Sequence, residues 1–179
     1  MHSFITQLFG FLAMGAFLAS YQTKSNRSLF FWQIIGILCF ITQYYLLGAI
    51  TGCMSLCICL VRNIMLYHRS RWTWVQWKGW VPIIISLLFL VMVFNWNGIQ
   101  SLFSFIAPTI GTICYWQNNA GKIRLGNLFG VSPCWLIYDC FSGSIGGICN
   151  EIFCITSILI SVWRFGWKAL LDPDSDFQK

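Results

Sequence analysis

Seven apolar stretches, each near the length a helix needs to cross a bilayer, take up most of this 179-residue chain. They run over Phe4–Tyr21, Leu29–Leu47, Ala49–Tyr67, Trp80–Trp96, Ile99–Trp116, Leu125–Phe141 and Ile145–Trp163. A hydrocarbon core about 30 Å thick takes roughly 17–25 apolar helical residues to span. Inside it, each backbone N–H and C=O must find its partner within its own segment, so each stretch is predicted to be helical. Only 9% of the residues are charged and 58% are hydrophobic, whereas a soluble domain is about a quarter charged. The predicted fold class is therefore an all-α membrane protein with seven transmembrane helices. No Lys or Arg precedes the first stretch and no small-x-small site clearly follows it, so Phe4–Ser20 is expected to stay as a helix rather than be cleaved as a signal peptide.

The charges fall in alternate loops. Lys24 and Arg27 follow the first stretch; His68, Arg69, Arg71 and Lys78 follow the third; Lys122 and Arg124 the fifth; Arg164 and Lys168 the seventh. The loops after the second, fourth and sixth carry no Lys or Arg. By the positive-inside rule the basic loops and the C-terminus are cytoplasmic and the N-terminus lies outside. The net charge of +6 is thus spread between spans, and nucleic acid is not expected as a partner. Trp72, Trp74, Trp77 and Trp80, with Trp116, Trp163 and Trp167, gather at the predicted cytoplasmic interface as anchors. The acidic end, taken from residue 168 to 179, is expected to be a disordered tail.

A second pattern lies over the first. A step of 95 residues takes Gly48, Ile50 and Gly52 to Gly143, Ile145 and Gly147, and likewise Gln22 to Gln117, Cys59 to Cys154 and Arg69 to Arg164. Each match falls at the same point of the hydropathy pattern. The expected architecture is two parallel three-helix repeats, 4–67 and 99–163, joined by an inverting linker helix at 80–96. The inversion is required: three spans reverse the chain's direction, so a second copy pointing the same way needs one more crossing.

Polar groups inside spans are costly and mark candidate sites. The second stretch carries Phe40, Gln43 and Tyr44 at i, i+3, i+4, and the sixth carries Trp135, Tyr138 and Asp139 at matching positions. The third carries Ser55, Cys59 and Arg62 along one stripe; the seventh matches it with Asn150, Cys154 and Ser157, with Glu151 beside them. Facing one another, these stripes give an aromatic wall with a few polar groups, which suits a small solute. The candidate cavity residues are Phe40, Gln43, Ser55, Trp135, Tyr138 and Asn150. A membrane carboxyl must find a partner or a proton, so Asp139, Glu151 and Arg62 are candidates for proton or ion coupling, with an acid–Arg62 pair as one form of it. Against this stands a plainer reading. Tyr44 and Tyr138 can be interface anchors, Arg62 can snorkel, and Ser and Cys can simply pack helices. Pro108 and Pro133 interrupt the fifth and sixth stretches and are candidate hinges or static kinks.

Nine cysteines sit almost wholly within spans, where Cys is a small packing residue, so neither a disulfide scaffold nor a metal site is expected. No HExxH, GxSxG, Walker or dinucleotide fingerprint is present. Neither an enzyme nor a bound cofactor is expected.

The segments SFITQLFGFLAMGAFLASYQTKSN and GAITG, with the order of spans, resemble the YgjV family of bacterial inner-membrane proteins. The three-plus-one-plus-three plan resembles the SWEET and PQ-loop transporters. The first resemblance implies a multi-pass inner-membrane location. The second, with the PnuC-type vitamin transporters by analogy, implies a small-solute role. In sugar transporters of that plan, an aromatic on spans two and six and an Asn on spans three and seven form the pocket. Phe40, Trp135 and Asn150 match three of these positions and Ser55 departs from the fourth. The PQ dipeptide is absent, and the usual prolines are present only as Pro108 and Pro133, which separates this chain from the sugar-specific pattern. The expectation is a small-solute transporter or facilitator, in contact with lipid and open to homo-oligomer formation. The alternative is a non-transporting receptor or assembly factor on the same scaffold.

Overall fold

The computed structural model describes residues 2–21, 26–117, 123 and 125–171. Among them there are seven α-helices and no strand. We number them α1 (His2–Tyr21), α2 (Asn26–Leu46), α3 (Ile50–Tyr67), α4 (Trp80–Phe94), α5 (Gln100–Trp116), α6 (Ser132–Ser142) and α7 (Ile145–Leu171). A 3₁₀ turn at Thr73–Gln76 precedes α4, and a π-helical turn at Asn127–Val131 runs straight into α6. The helices fall on the seven apolar stretches, with the fourth ending at Phe94 rather than Trp96. Two of them, Ser28–Leu46 within α2 and α3 itself, are both long and apolar enough to cross a bilayer, by length and composition alone; Phe4–Ser20, Trp80–Phe94 and Ile145–Ile160 are apolar but shorter. The C-terminal reading shifts: residues 168–171 belong to α7 rather than to a tail. Residues 172–179, with Gln22, Lys24, Lys122 and Arg124, lie outside the described residues.

Large apolar side chains lie on the outside, and polar ones are buried beside an apolar core. Phe94 is 80% exposed and Phe129 70%, while Gln33, Asn63 and Asp139 are buried. In α4, hydrophobic on every side, only Ile84, Leu88 and Met92 are buried, one stripe at intervals of four. Most of its other side chains are exposed, though Phe89 meets Phe105 edge to face at 5.8 Å. A monomer with that much exposed apolar surface is suited to lipid, not water.

Six helices close a ring. Helix α1 packs on α2, α2 on α3, α3 on α5, α5 on α6, α6 on α7, and α7 back on α1; α4 lies outside against α3 and α5. Helices α1 and α7 approach closely: a Cβ added at Gly146 would run into the backbone of Gly10. Small residues let helix backbones approach where no hydrophobic effect drives them together.

The turns α2–α3 and α6–α7 have the same form. Gly48 and Gly143 both have φ 71°, a left-handed conformation that glycine alone adopts without strain. The residue after each donates its N–H five residues back, Ala49 to Tyr44 O at 2.9 Å and Ser144 to Asp139 O at 3.1 Å. This satisfies carbonyls that the helix end would leave bare. At the opposite side of the molecule, Arg69 Nη1 donates to Trp116 O at 3.4 Å, tying together the C-terminal ends of α3 and α5. There Trp72 stacks on His68 (centroids 4.3 Å apart) and on Trp74 (5.5 Å), and Trp74 meets Trp80 edge to face at 5.4 Å. Arg71 and Lys78 are exposed beside this aromatic shelf.

Candidate functional site

The site grows from four helix stripes. On α2, Gln33, Ile37, Phe40 and Tyr44 recur at spacings of four, three and four, so they lie on one face. On α3, Leu56, Cys59, Arg62 and Asn63 face inward; on α5, Ala107, Pro108, Gly111 and Tyr115 do so. The π-turn, α6 and α7 add Asn127, Trp135, Asp139, Asn150 and Glu151. Together they enclose a pocket of about 80 Å³, measured as the room open to the centre of a water molecule. One water needs roughly 10–15 Å³ on that measure. Several waters or a solute of a few heavy atoms fit; a drug-sized ligand would need a wider pocket.

Arg62 is 5% exposed and does not snorkel. Its Nε donates to Asn63 Oδ1 at 3.1 Å, and its Nη1 to Thr112 Oγ1 at 3.1 Å and Pro108 O at 3.4 Å. Its guanidinium carbon lies 4.8 Å from the centre of the Tyr115 ring, a cation–π contact. Asn63 Nδ2 donates onward to Gln33 Oε1 at 3.1 Å. These neutral acceptors hold the side chain inside the ring rather than letting it reach the interface.

The acids are engaged elsewhere. Tyr44 donates its hydroxyl to Asp139 Oδ1 at 2.6 Å, and Asn150 Nδ2 donates to Glu151 Oε1 at 3.0 Å. Tyr44 also stacks with Phe40 and Trp135, each at 6.1 Å, and meets Tyr138 edge to face at 5.5 Å. Among the described residues every hydrogen-bond partner of Arg62 is neutral, so the expected acid–Arg62 pair is not formed.

Of the residues singled out from sequence, Phe40, Trp135, Asn150, Asp139, Glu151, Arg62 and Pro108 line the pocket. Gln43, Tyr138 and Ser55 are buried but lie outside it. Gln43 bridges α1 to the start of α7: its Nε2 donates to Gln7 Oε1 at 3.2 Å, and its Oε1 accepts from Ser144 Oγ at 3.1 Å. The Tyr138 hydroxyl accepts from Gly52 N at 2.7 Å and donates to Ala49 O at 3.3 Å. A Cβ on Gly52 would collide with that hydroxyl. Cys154 is buried outside the pocket and Ser157 is exposed on the outer face of α7. Pro133 stands at the start of α6, just after the π-turn, where Ser132 N bonds to Asn127 O five residues back. Proline cannot donate and its ring clashes with the fourth preceding carbonyl, and a widened turn absorbs both faults. Pro108 is buried within α5, where its own carbonyl serves Thr112 and Arg62.

Gln33, Asn63, Tyr115 and Asn127 were not singled out from sequence. Gln33 had a signal, since it continues the Phe40–Tyr44 stripe two turns earlier. Tyr115 and Asn127 lie near span ends, where polar residues are ordinary. No group of three or more His, Cys, Asp or Glu among the described residues converges on a metal site.

An all-helical molecule with an apolar exterior, polar groups buried inside and aromatic residues around one basic end is a membrane protein in form. A family model described as a bacterial inner membrane protein, Imp-YgjV, matches residues 4–169. The chain belongs to the YgjV family of bacterial inner-membrane proteins. No curated protein and no solved structure matches it.

Proposed function

We propose that the protein is a small-solute transporter or facilitator whose solute passes through the pocket inside the six-helix ring. The observation that carries this reading is the pocket itself. Arg62, Asp139 and Glu151 turn inward to one space between aromatic side chains, at a cost a purely structural core would avoid. In this reading the chain is not an enzyme.

The same reading takes α1–α3 and α5–α7 as parallel copies about the inverting α4. Several contacts support it by being reciprocal under the 95-residue step. The α3–α5 contact answers the α7–α1 contact. Ser144 reaching Gln43 answers Tyr138 reaching Ala49. Tyr44 bonds to its own counterpart, Asp139, as equivalent positions do near a two-fold axis. The basic residues beside the ends of α3 and α5 support a cytoplasmic placement of that side, with the N-terminus periplasmic. Alternating access would then rock one copy against the other, with Pro108 and the Pro133 π-turn giving the second copy its freedom. Asp139 and Glu151 are the groups we assign to coupling.

Uptake by purified protein in liposomes, screened with small acids, amines, vitamins and sugars, tests the reading. Saturable uptake that falls at least tenfold in Trp135→Ala is expected. Uptake unchanged by both Glu151→Gln and Asp139→Asn would remove the coupling role. Silence across the panel, in protein that keeps its fold, would favour the non-transporting scaffold.

A further inference from the structure

Arg62 has more donors than the protein uses. A guanidinium carries five N–H groups. Nε spends one on Asn63, and Nη1 spends two on Thr112 and Pro108 O. Arg62 donates no others among the described residues, so both N–H groups of Nη2 are free. Nη2 has no partner among the described residues yet is not sealed, and Arg62 lines the pocket.

The charge is equally unanswered. All the hydrogen-bond partners of Arg62 are neutral, and the remaining contact is the Tyr115 ring. The two carboxyl groups of the pocket are held by Tyr44 and Asn150. They also lie at another depth. Glu151 is six residues into α7 and Arg62 twelve into α3, both counted from the side of the glycine turns. At 1.5 Å per residue that sets Arg62 roughly 9 Å deeper than Glu151. A cation largely removed from bulk water and without an anion is disfavoured. The missing partner has room only in the pocket.

We infer that the pocket binds a small monovalent oxyanion through Nη2 of Arg62. The inference rests on the reading of this pocket as a solute site, and names the class of solute. Two details narrow it. Only one terminal nitrogen is free, so the contact is to a single oxygen rather than the two-oxygen fork that arginine makes when both of its nitrogens are open. The pocket of about 80 Å³ suits formate, acetate or an anion of that size, not a sugar phosphate. The deeper half of the pocket then carries the anion, and the half holding Asp139 and Glu151 carries its other contacts.

The test compares anions with their neutral shapes. Purified protein in nanodiscs is titrated with formate, acetate, formamide and acetamide at constant ionic strength set by gluconate, and thermal midpoint and calorimetric binding are followed. Formate or acetate is expected to raise the midpoint and bind saturably, with the amides inert. Arg62→Gln is expected to weaken anion binding at least tenfold and Arg62→Lys to keep part of it. Equal responses to acid and amide, no response to either, or anion binding untouched in Arg62→Gln would overturn the inference. If Arg62→Gln does not fold, the acid–amide comparison on the unaltered protein still decides. Anion binding without flux in liposomes would sustain the anion site and remove the transport reading. Flux of neutral solutes with no anion response would do the reverse.

Discussion

The two halves of the ring, α1–α3 and α5–α7, build matching turns and unlike interiors. Gly48 and Gly143 share one φ of 71°, and the bonds around them correspond. Inside, the first half supplies the cation, Arg62, with Asn63 and Gln33 to hold it; the second supplies both acids, Asp139 and Glu151. The first half has unbroken helices. The second has Pro108 within α5 and a π-turn ahead of Pro133. The corners of the fold are thus alike where geometry rules, and the halves diverge where side chains meet the pocket.

The largest effect should come at the α1–α7 seam, the counterpart of α3–α5. At the position matching Gly146 the first half has Thr51, whose hydroxyl donates to Asn95 O at 2.8 Å. Gly146→Ala drives a methyl into the Gly10 backbone and should cost about 2–3 kcal/mol, while Thr51→Ala should cost about 1 kcal/mol. Unfolding in SDS titrations would show the asymmetry. Equal losses would mean the two seams are packed alike.

Next is the bond that joins the halves. Tyr44→Phe removes the closest donor to Asp139 and should cost about 2 kcal/mol, since a buried carboxyl that loses a hydrogen bond keeps its desolvation cost. Asp139→Asn keeps an oxygen facing Tyr44 and should cost less. A double-mutant cycle that returns no coupling energy would show that the two side chains do not meet.

The smallest effect should be the most even. Gly48→Ala and Gly143→Ala each force a side chain into the left-handed region, though a Cβ has open space at both. Each should cost about 1 kcal/mol. Thermal midpoints that differ widely between the two would break the correspondence of the turns.

Much of the fold was legible because apolar length and turn glycines are local signals. Every helix lies on a predicted stretch, and Gly48 and Gly143 are read directly from the chain. The π-turn was not, since Pro133 announces a fault in the ladder but not whether it kinks or widens. The pocket was legible by stripe and blurred by rotation. Phe40, Gln43 and Tyr44 share a sector of the helix, yet Gln43 turns towards α1 and α7 while its neighbours face inward. A single sequence gives the period of a helix without its rotation against its neighbours. Arg62 was expected either to pair with an acid or to snorkel. It does neither, because Thr112 and Tyr115 come from α5, and no local pattern brings α5 beside α3.

The proposed transport function requires the pocket to open to both sides of the membrane in turn. Cys59 lines it, and with the other eight of the nine cysteines replaced it becomes a single reporter. Labelling of Cys59 by a small charged thiosulfonate, in right-side-out and in inverted vesicles, measures access without knowledge of the solute. Labelling from both faces is expected for a transporter. Labelling from one face only, or from neither, would contradict it.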